Sequence, residues 1–281
     1  MTANASLCRD LMPGTGMVLH SRDQYRSDGA DRRFSNGAVA VSAVVPGSAA
    51  AQAGVARDDG LIAINGRAIS ELPQPETGNL RELVFDLLAS HPVDQPLSLT
   101  IARAGEQRTV TISAPPACRS LVEIRLGNGP RAISDGRVIQ IRFDFARSVS
   151  DEELAVIFAH ELAHSVLEHR RRKEDAGIAV GFMGELGRNQ RANRQAEVEA
   201  DRLSVHLLAN AGYDPGAAPV FWRTGSGREL GGGLLGSTIY PSNTARAELL
   251  ENEIAMYLPL GRGPSWPGHL LIMRDRSFSL D

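Results

Sequence analysis

The sequence is poor in cysteine and lysine, and it lacks long apolar runs. It holds two cysteines and a single lysine, Lys173, among its 30 basic residues. No apolar run approaches the roughly 20 residues of a membrane-spanning helix, so we expect no transmembrane segment. The formal net charge of -3 gives no general attraction for nucleic acid, and we expect no such partner. With 281 residues, 42% of them hydrophobic, the chain can form one large or two small globular domains.

The N-terminal half has the pattern of a small β-rich domain. A β-branched apolar run at residues 38–45 ends at Pro46-Gly47, and Ser48 is placed to cap a short alanine-rich helix. A second strand leads into Asn65-Gly66, a dipeptide typical of a type I′ hairpin turn. An amphipathic helix and a second hairpin complete the unit.

The amino-acid sequence of this half resembles that of a PDZ domain of the type associated with bacterial proteases. The resemblance rests on Val44-Val45-Pro46-Gly47-Ser48-Ala49-Ala50 and Gly60-Leu61-Ile62-Ala63-Ile64-Asn65-Gly66, and it covers about residues 12–115. It implies that a partner's C-terminus adds a strand beside the second helix, with its carboxylate on the loop Gly14-Thr15-Gly16-Met17. The turn Arg57-Asp58-Asp59-Gly60 departs from the usual Pro-Gly-Asp. A β-rich domain without peptide affinity is the alternative.

Cys8 and Cys118 lie at the two ends of this unit. We predict that they form a disulfide, which would close a loop of about 110 residues and stabilise the fold by roughly 4 to 5 kcal/mol at most. A bond so placed indicates an oxidising compartment, and two unrelated buried thiols are the alternative. The first eight residues lack the basic start and apolar core of a secretory signal, so we expect that signal to be absent or removed.

The second half carries a motif for metal chemistry. Ser150-Asp151-Glu152-Glu153 forms a capping box, and the apolar spacing after it predicts a helix of about five turns. His160-Glu161-Leu162-Ala163-His164 lies within this helix. Histidines four residues apart project from one face about 6 Å apart and can share one zinc ion. Glu161 is placed to reach a water on the metal as the catalytic base.

A catalytic zinc site needs a third protein ligand and one open position. Glu168 lies about 12 Å from His160 along the same helix, which is too far for both to bind one metal. Leu167 and Arg170 occupy the positions where a metzincin has a glycine and a third histidine. The third ligand must therefore come from another element.

A second helix, predicted over residues 191–211, supplies the candidates. Asn193, Glu197 and Asp201 fall on one stripe of this helix, whereas Glu199 points about 200° away from Glu197. The spacing Glu197-x-x-x-Asp201 resembles that of a gluzincin, which implies Glu197 as the third ligand and Asp201 as the acceptor for the spare ring N–H of a ligating histidine, with Asn193 and Arg246 beside them. A solvated acidic face is the alternative, which the apolar residues at 203–208 disfavour because unpaired buried carboxylates are costly.

These two helices resemble the gluzincin endopeptidase family of the CAAX prenyl protease, the heat-shock protease HtpX and the periplasmic protease BepA. The resemblance rests on the motif at residues 160–164 together with Asn193-x-x-x-Glu197-Val198-Glu199-Ala200-Asp201, and it covers about residues 121–256. It implies a zinc-dependent endopeptidase that acts on proteins, often misfolded or membrane-associated ones. The additional N-terminal unit resembles the one that periplasmic members carry.

One segment departs from this family. Members commonly have the sequence Ser-Thr-His-Pro followed by an arginine. This chain has Ser237-Thr238-Ile239-Tyr240-Pro241 at that place and retains the arginine as Arg246. Tyr240 is our candidate donor to the carbonyl oxygen of the substrate, and simple packing of its ring is the alternative.

Three further features are interpreted without a catalytic role. The basic run Arg170-Arg171-Arg172-Lys173 is typical of a solvated helix end. His169 and His206 lie off the ligand spacing and are interpreted as surface or core histidines. The apolar connector at residues 177–187 fits a lid over the cleft, a peripheral membrane contact or ordinary packing.

Together these patterns predict an α+β protein. A PDZ-like peptide-binding domain is expected at residues 12–117 and a mainly helical metallopeptidase domain at residues 118–281. The expected activity is hydrolysis of peptide bonds in proteins, with one zinc ion per chain. A PDZ adaptor or chaperone-like binding protein with an idle or structural metal site is the alternative. We expect a periplasmic location, with the cytoplasm as the alternative.

Overall fold

Strands dominate the first part of the chain and helices the second. A computed structural model describes residues 1–25, 32–73, 79–178, 188–227, 242–258 and 264–278. The chain divides into two units, Met1–Arg119 and Ser120–Asp281. The fold class is α+β, as predicted from the sequence.

The first unit is built around one antiparallel sheet. Its strands are β1 (Leu11–Pro13), β2 (Met17–Ser21), β3 (Val39–Val44), β4 (Gly60–Ile64), β5 (Arg67–Ala68), β6 (Leu97–Arg103), β7 (Glu106–Ile112) and β8 (Pro116–Cys118). Its α-helices are α1 (Ala49–Gln52) and α2 (Leu80–Ala89). The main sheet has the order β2-β3-β4-β6-β7 with β5 beside β4, and β1 pairs with β8. Strand residues such as Val41 and Leu99 form the core with Val84 and Leu88 of α2.

Capping and turn residues determine where α1 begins and where the hairpin between β4 and β5 turns. The Oγ of Ser48 accepts a hydrogen bond from the Ala51 N–H at 3.3 Å, which confirms the predicted cap of α1. Asn65 and Gly66 have φ angles of 49° and 79°. Both centres of this turn therefore have the positive φ that a type I′ hairpin requires.

The turn before β4 is held by a buried carboxylate. Asp59 is fully buried and accepts hydrogen bonds from the Ala56 N–H at 2.9 Å and from Nε and Nη2 of Arg103 at 2.5 and 2.7 Å. A Cβ at Gly60 would lie 2.0 Å from the carbonyl oxygen of Asn36, so only glycine fits there. The turn Arg57-Asp58-Asp59-Gly60 is therefore fixed, although its sequence differs from the Pro-Gly-Asp that is usual in PDZ domains.

The second unit has a small sheet and a larger set of helices. Its strands are β9 (Leu121–Arg125), β10 (Ala132–Ser134) and β11 (Val138–Arg142), in the order β10-β11-β9. β9 runs parallel to β11 and β10 runs antiparallel to it. The helices are α3 (Phe143–Ala146), α4 (Asp151–Val166), α5 (His169–Asp175), α6 (Arg188–Asn210), α7 (Ala217–Arg223), α8 (Asn243–Tyr257) and α9 (Gly268–Leu271). No helix in the described part of the chain is both long and apolar enough to cross a bilayer.

Helix α4 begins as predicted but ends early. The Ser150 side chain and that of Glu153 form the expected capping box. The helix has 16 residues rather than the roughly 18 of five turns. Glu168 adopts a left-handed conformation with a φ of 53°, and α5 begins at His169. The basic run at residues 170–173 therefore belongs to a separate helix, which corrects the interpretation that it ends the long one.

Candidate metal centre

Two packed helices bring three metal-binding side chains together. His160 and His164 project from one face of α4, because they lie four residues apart. α6 packs against α4 and places Glu197 opposite them. The Nε2 atom of His160 lies 3.1 Å from Oε2 of Glu197 and 3.4 Å from Nε2 of His164, which in turn lies 3.6 Å from Oε1 of Glu197.

These spacings fit a metal ion. Bonds of about 2.0 Å at tetrahedral angles separate the ligand atoms on zinc by about 3.3 Å. The three separations in the structure, 3.1, 3.4 and 3.6 Å, bracket that value. Two imidazoles and one carboxylate are also the ligand type of catalytic zinc sites, which keep the fourth position open. The residues predicted as ligands thus lie where one ion can contact all three.

Asp201 lies behind His160, one turn after Glu197 on α6. Its Oδ1 lies 3.0 Å from Nδ1 of His160, the ring nitrogen that faces away from Glu197. Arg246 on α8 donates to both Asp201 oxygens, at 2.7 and 2.6 Å, and its guanidinium lies 3.3 Å from the centre of the Trp222 ring. The Asp201 carboxylate is therefore fixed from two sides.

Glu161 lies in the same cavity as the ligands. The cavity has a volume of about 230 Å³ and is lined by Glu161, the two histidines and Glu197. Burial raises the pKa of Glu161 to about 7, and the nearby Glu197 adds to the rise while His160 opposes it. A carboxyl group that titrates near neutral pH is suited to accept and return a proton.

The electrostatics of the centre favour a cation. Burial opposes ionisation of Glu197, but His164 and His160 outweigh it and hold the pKa of Glu197 below its usual value. Burial also lowers the pKa of His160, but Asp201 and Glu197 outweigh it and raise that pKa to about 10. The two carboxylates thus stabilise positive charge at this position.

A second group of side chains lies behind His164, and the sequence did not reveal it. His169 is buried, with its Nδ1 2.9 Å from Nδ1 of His164 and its Nε2 3.1 Å from Oε2 of Glu199. Arg172 is also buried and bonds to the same carboxylate. Glu199 points away from the ligand position, as predicted. Helical spacing could not place His169 here, because the left-handed conformation of Glu168 separates α5 from α4.

The basic run is not a uniformly solvated helix end, and that interpretation is corrected. Arg172 is buried against Glu199, whereas Arg170 and Arg171 are exposed and pair with acidic neighbours. Lys173 lines the cavity of the candidate centre. Burial lowers the pKa of Lys173, and the charge of Glu197 partly restores it.

A second His–Glu–His group lies at the other end of α6. Oε1 of Glu253 lies 3.0 Å from Nε2 of His206 and 2.7 Å from Nε2 of His269, and its Oε2 accepts from Nε of Arg202 at 2.6 Å. A single oxygen, Oε1, faces both histidines, and Nδ1 of His206 lies 2.6 Å from the hydroxyl oxygen of Ser265. Each of these groups thus has a hydrogen-bond partner, and Glu253 is the acceptor at the centre of a buried polar cluster. His206 is a core histidine, consistent with its interpretation from the sequence.

In the first unit, the predicted peptide-binding loop connects β1 to β2. β2 ends the sheet order on one side, and α2 packs against it. The N–H groups of Gly14, Thr15 and Met17 donate to Pro115 O, Pro13 O and the Thr15 side chain. Gly16 has a φ of 77°, and a Cβ there would lie 2.3 Å from the Ser48 Cβ. A ligand carboxylate would have to replace some of these bonds, so the role of the loop stays a prediction.

The structure describes the disulfide and Asn193 but does not describe Tyr240 or most of the connector. Cys8 and Cys118 are joined by a disulfide within the first unit. Asn193 is half-buried and lies one turn before Glu197 on α6. It is not among the described residues that line the cavity. Tyr240 lies outside the described residues, as does the connector from residue 179 to 187. Ile178, just before that range, packs with α6 residues and Phe278.

Comparisons with known proteins match this chain to a PDZ-domain family and to metalloendopeptidases. A family described as "PDZ domain" matches residues 40–103. The mitochondrial metalloendopeptidase OMA1 of Arabidopsis thaliana is 32% identical over an alignment of 120 positions, which covers 36% of this chain and 24% of that protein. OMA1 of Schizosaccharomyces pombe is 23% identical over an alignment of 182 positions, which covers 57% of this chain and 54% of that protein. The matched regions thus span about a quarter and about half of these two relatives.

Two solved structures show similarity that is confined to 38% of the chain. They are the HtrA3 PDZ domain bound to a phage-derived ligand (16% identity, 89% of that chain, TM-score 0.28) and the HtrA-type protease AlgW with a decapeptide (14% identity, 30% of that chain, TM-score 0.29). The chain combines a PDZ-domain sequence with a region similar to metal-dependent endopeptidases.

Proposed function

We propose that this protein is a zinc-dependent endopeptidase that hydrolyses peptide bonds in protein substrates, with misfolded or envelope proteins as the expected class. One observation carries the proposal. The ligand atoms of His160, His164 and Glu197 meet at spacings that suit zinc, beside the buried carboxyl group of Glu161. The similarity to the OMA1 metalloendopeptidases supports the same activity.

Each residue of the centre has a role in this reaction. When bound, zinc supplies Lewis acidity that activates a water molecule and polarises the substrate carbonyl. Glu161 takes a proton from the attacking water as the oxygen bonds to the carbonyl carbon. Glu161 then gives that proton to the amine nitrogen as the C–N bond breaks. Asp201 and Arg246 hold His160 in its ligating orientation.

Negative charge that develops on the former carbonyl oxygen needs a donor from the protein. Tyr240 is the candidate from the sequence. The structure adds Lys173, which lines the cavity and has no ion-pair partner among the described residues. Arg246 also lines the cavity, but two of its nitrogens are already bonded to Asp201. We propose that Tyr240 or Lys173 donates a hydrogen bond to the former carbonyl oxygen of the substrate.

We propose that the PDZ-like unit binds the C-terminal segment of a substrate or partner in the groove between β2 and α2. Binding by strand addition would use the edge of β2 that ends the sheet order in the described part of the chain, and the carboxylate would contact the loop at residues 14–17. Titration with an apolar C-terminal peptide and with its C-terminal amide tests this. We expect only the free acid to bind, and equal affinity for both would remove the loop from recognition.

Metal analysis combined with cleavage of unfolded casein tests the proposed activity. The wild-type protein should bind about one zinc ion and cleave casein. Glu161→Gln should keep the zinc and lose cleavage. Glu152→Gln, at an exposed position on the same helix, is the matched control and should retain both.

A specific pattern of results would favour the binding-protein alternative. If the wild-type protein holds zinc and binds peptides but leaves casein intact at every pH, the metal site is idle or structural. Loss of cleavage in Glu152→Gln to the same extent as in Glu161→Gln would also count against catalysis by Glu161.

We propose a periplasmic location for the protein. The Cys8–Cys118 disulfide supports it, because such bonds persist in oxidising compartments.

A further inference from the structure

The two imidazoles of the metal centre are supported in different ways. His160 is backed directly by the carboxylate of Asp201. His164 is backed by another imidazole, because its Nδ1 lies 2.9 Å from Nδ1 of His169. His169 is almost fully buried and lies in the first turn of α5. The position of its ring is therefore set by the protein interior rather than by solvent.

The hydrogen-bond partners of His169 fix the direction of this contact. The Glu199 carboxylate can only accept, so the Nε2 of His169, 3.1 Å from Oε2, must carry a proton. In a neutral imidazole the other nitrogen, Nδ1, is then an acceptor. The Nδ1–H of His164 must donate to it, which leaves the lone pair on Nε2 of His164. That nitrogen is the one that faces His160 and Glu197.

Glu199 is itself held by several donors. Nη1 of Arg172 donates to Oε2 at 2.5 Å, and Nε2 of Gln195 donates to Oε1 at 2.7 Å. Arg172 also donates from Nε to the Arg276 carbonyl oxygen at 3.1 Å, and its guanidinium lies 4.2 Å from the centre of the Phe278 ring. The chain of contacts from His164 thus ends on the C-terminal part of the same unit.

We propose that His169 is a positioning residue that fixes the tautomer of His164, and that Glu199 and Arg172 fix His169 in turn. This inference rests on the proposed function, because it concerns the affinity of the same site for zinc. His169 does not contact the ligand position itself. Its effect is to hold the Nε2 lone pair of His164 toward the metal.

Zinc affinity, measured by competition with a chromophoric chelator, tests this role. His169→Phe removes both ring nitrogens and should weaken zinc binding by about 10- to 100-fold. His169→Asn places an amide oxygen near the position of Nδ1 and should recover most of the loss. His206→Phe removes another buried, hydrogen-bonded histidine of the same unit and controls for general destabilisation.

The outcomes are distinguishable. Unchanged affinity in a folded His169→Phe protein, or an equal loss in His206→Phe, would overturn the inference. Failure of the wild-type protein to bind zinc would instead reject the proposed function together with this inference. Normal zinc binding by the wild type without casein cleavage would reject the protease activity and leave the positioning role standing.

A second measurement needs no substitution at His169. Long-range proton–nitrogen NMR of the histidine rings in the zinc-loaded protein reports which nitrogen carries a proton. We expect a proton on Nδ1 of His164 and on Nε2 of His169. A proton on Nδ1 of His169 would contradict the proposed direction of the bond, even if the substituted proteins failed to fold.

Discussion

Nδ1 of His160 lies 3.0 Å from Oδ1 of Asp201, on the side of the ring away from Glu197. An imidazole that binds a metal through Nε2 carries its proton on Nδ1, and we propose that this nearby carboxylate favours that tautomer. Arg246 bonds to both oxygens of Asp201 and keeps it ionised in a buried position. Burial raises the pKa of Asp201, but Arg246 and His160 outweigh it and lower that pKa.

We therefore expect Asp201→Ala to weaken zinc binding or casein cleavage by about 10- to 100-fold. Chelator competition and cleavage rates measure the two effects. Arg246 would be left buried without its partner, so the melting temperature must be measured as well. Wild-type affinity and activity in the folded variant would remove Asp201 from the site.

Glu197→Ala should release most of the zinc, because it removes one of three protein ligands. Metal content after gel filtration measures this loss. Glu248→Ala, at an exposed position on α8, should retain about one zinc ion per chain. Glu199→Ala should show only the partial weakening expected of a residue behind His169. The ligand assignment is wrong if Glu199→Ala loses its zinc while Glu197→Ala retains it.

Cleavage should fall at acid pH through protonation of Glu161. Burial raises the pKa of this group to about 7, and only its carboxylate form can take a proton from water. A bound divalent cation favours the carboxylate, so the acid limb of kcat/KM should lie at or below pH 7, with about a tenfold loss per pH unit beneath it. Melting temperatures across the same range separate this from unfolding. Faster cleavage as the pH falls below 6 would contradict the role.

The donor to the carbonyl oxygen can be identified by two substitutions. Tyr240→Phe removes only the phenol O–H, and Lys173→Met removes the ammonium group but keeps the length of the side chain. The donor should be the residue whose loss lowers kcat by roughly 10- to 1,000-fold at unchanged zinc content. Unaltered kcat in both variants would direct attention to Arg246.

The disulfide should be present in protein isolated from its native host. Mass mapping under non-reducing conditions detects the peptide pair that contains Cys8 and Cys118. Cys8→Ser with Cys118→Ser should lower the free energy of unfolding by at most about 4 to 5 kcal/mol, because the bond closes a long loop in the unfolded chain. Two free thiols in the native host would contradict the periplasmic location.

Local signals in the sequence predicted several elements correctly. The capping box at Ser150 fixes the start of α4, and the spacing of His160 and His164 places both rings on one helix face. The dipeptide Asn65-Gly66 predicts its hairpin because few residues adopt positive φ at two successive positions. These features depend on residues within one or two turns of each other, so they can be read without the tertiary structure.

Other features depended on contacts between distant segments. The left-handed conformation of Glu168 breaks the helix so that His169 contacts His164, and the packing of α6 near α4 brings Glu199 to the same His169 ring. Arg172 is buried for the same reason, although its sequence context is typical of a solvated helix end. The sequence by itself determined which side chains could bind a metal. The sequence also pointed to Asp201 as the partner of one histidine. Only the tertiary structure decided that His169, Glu199 and Arg172 lie behind His164, because helix packing and side-chain direction are set by the whole unit.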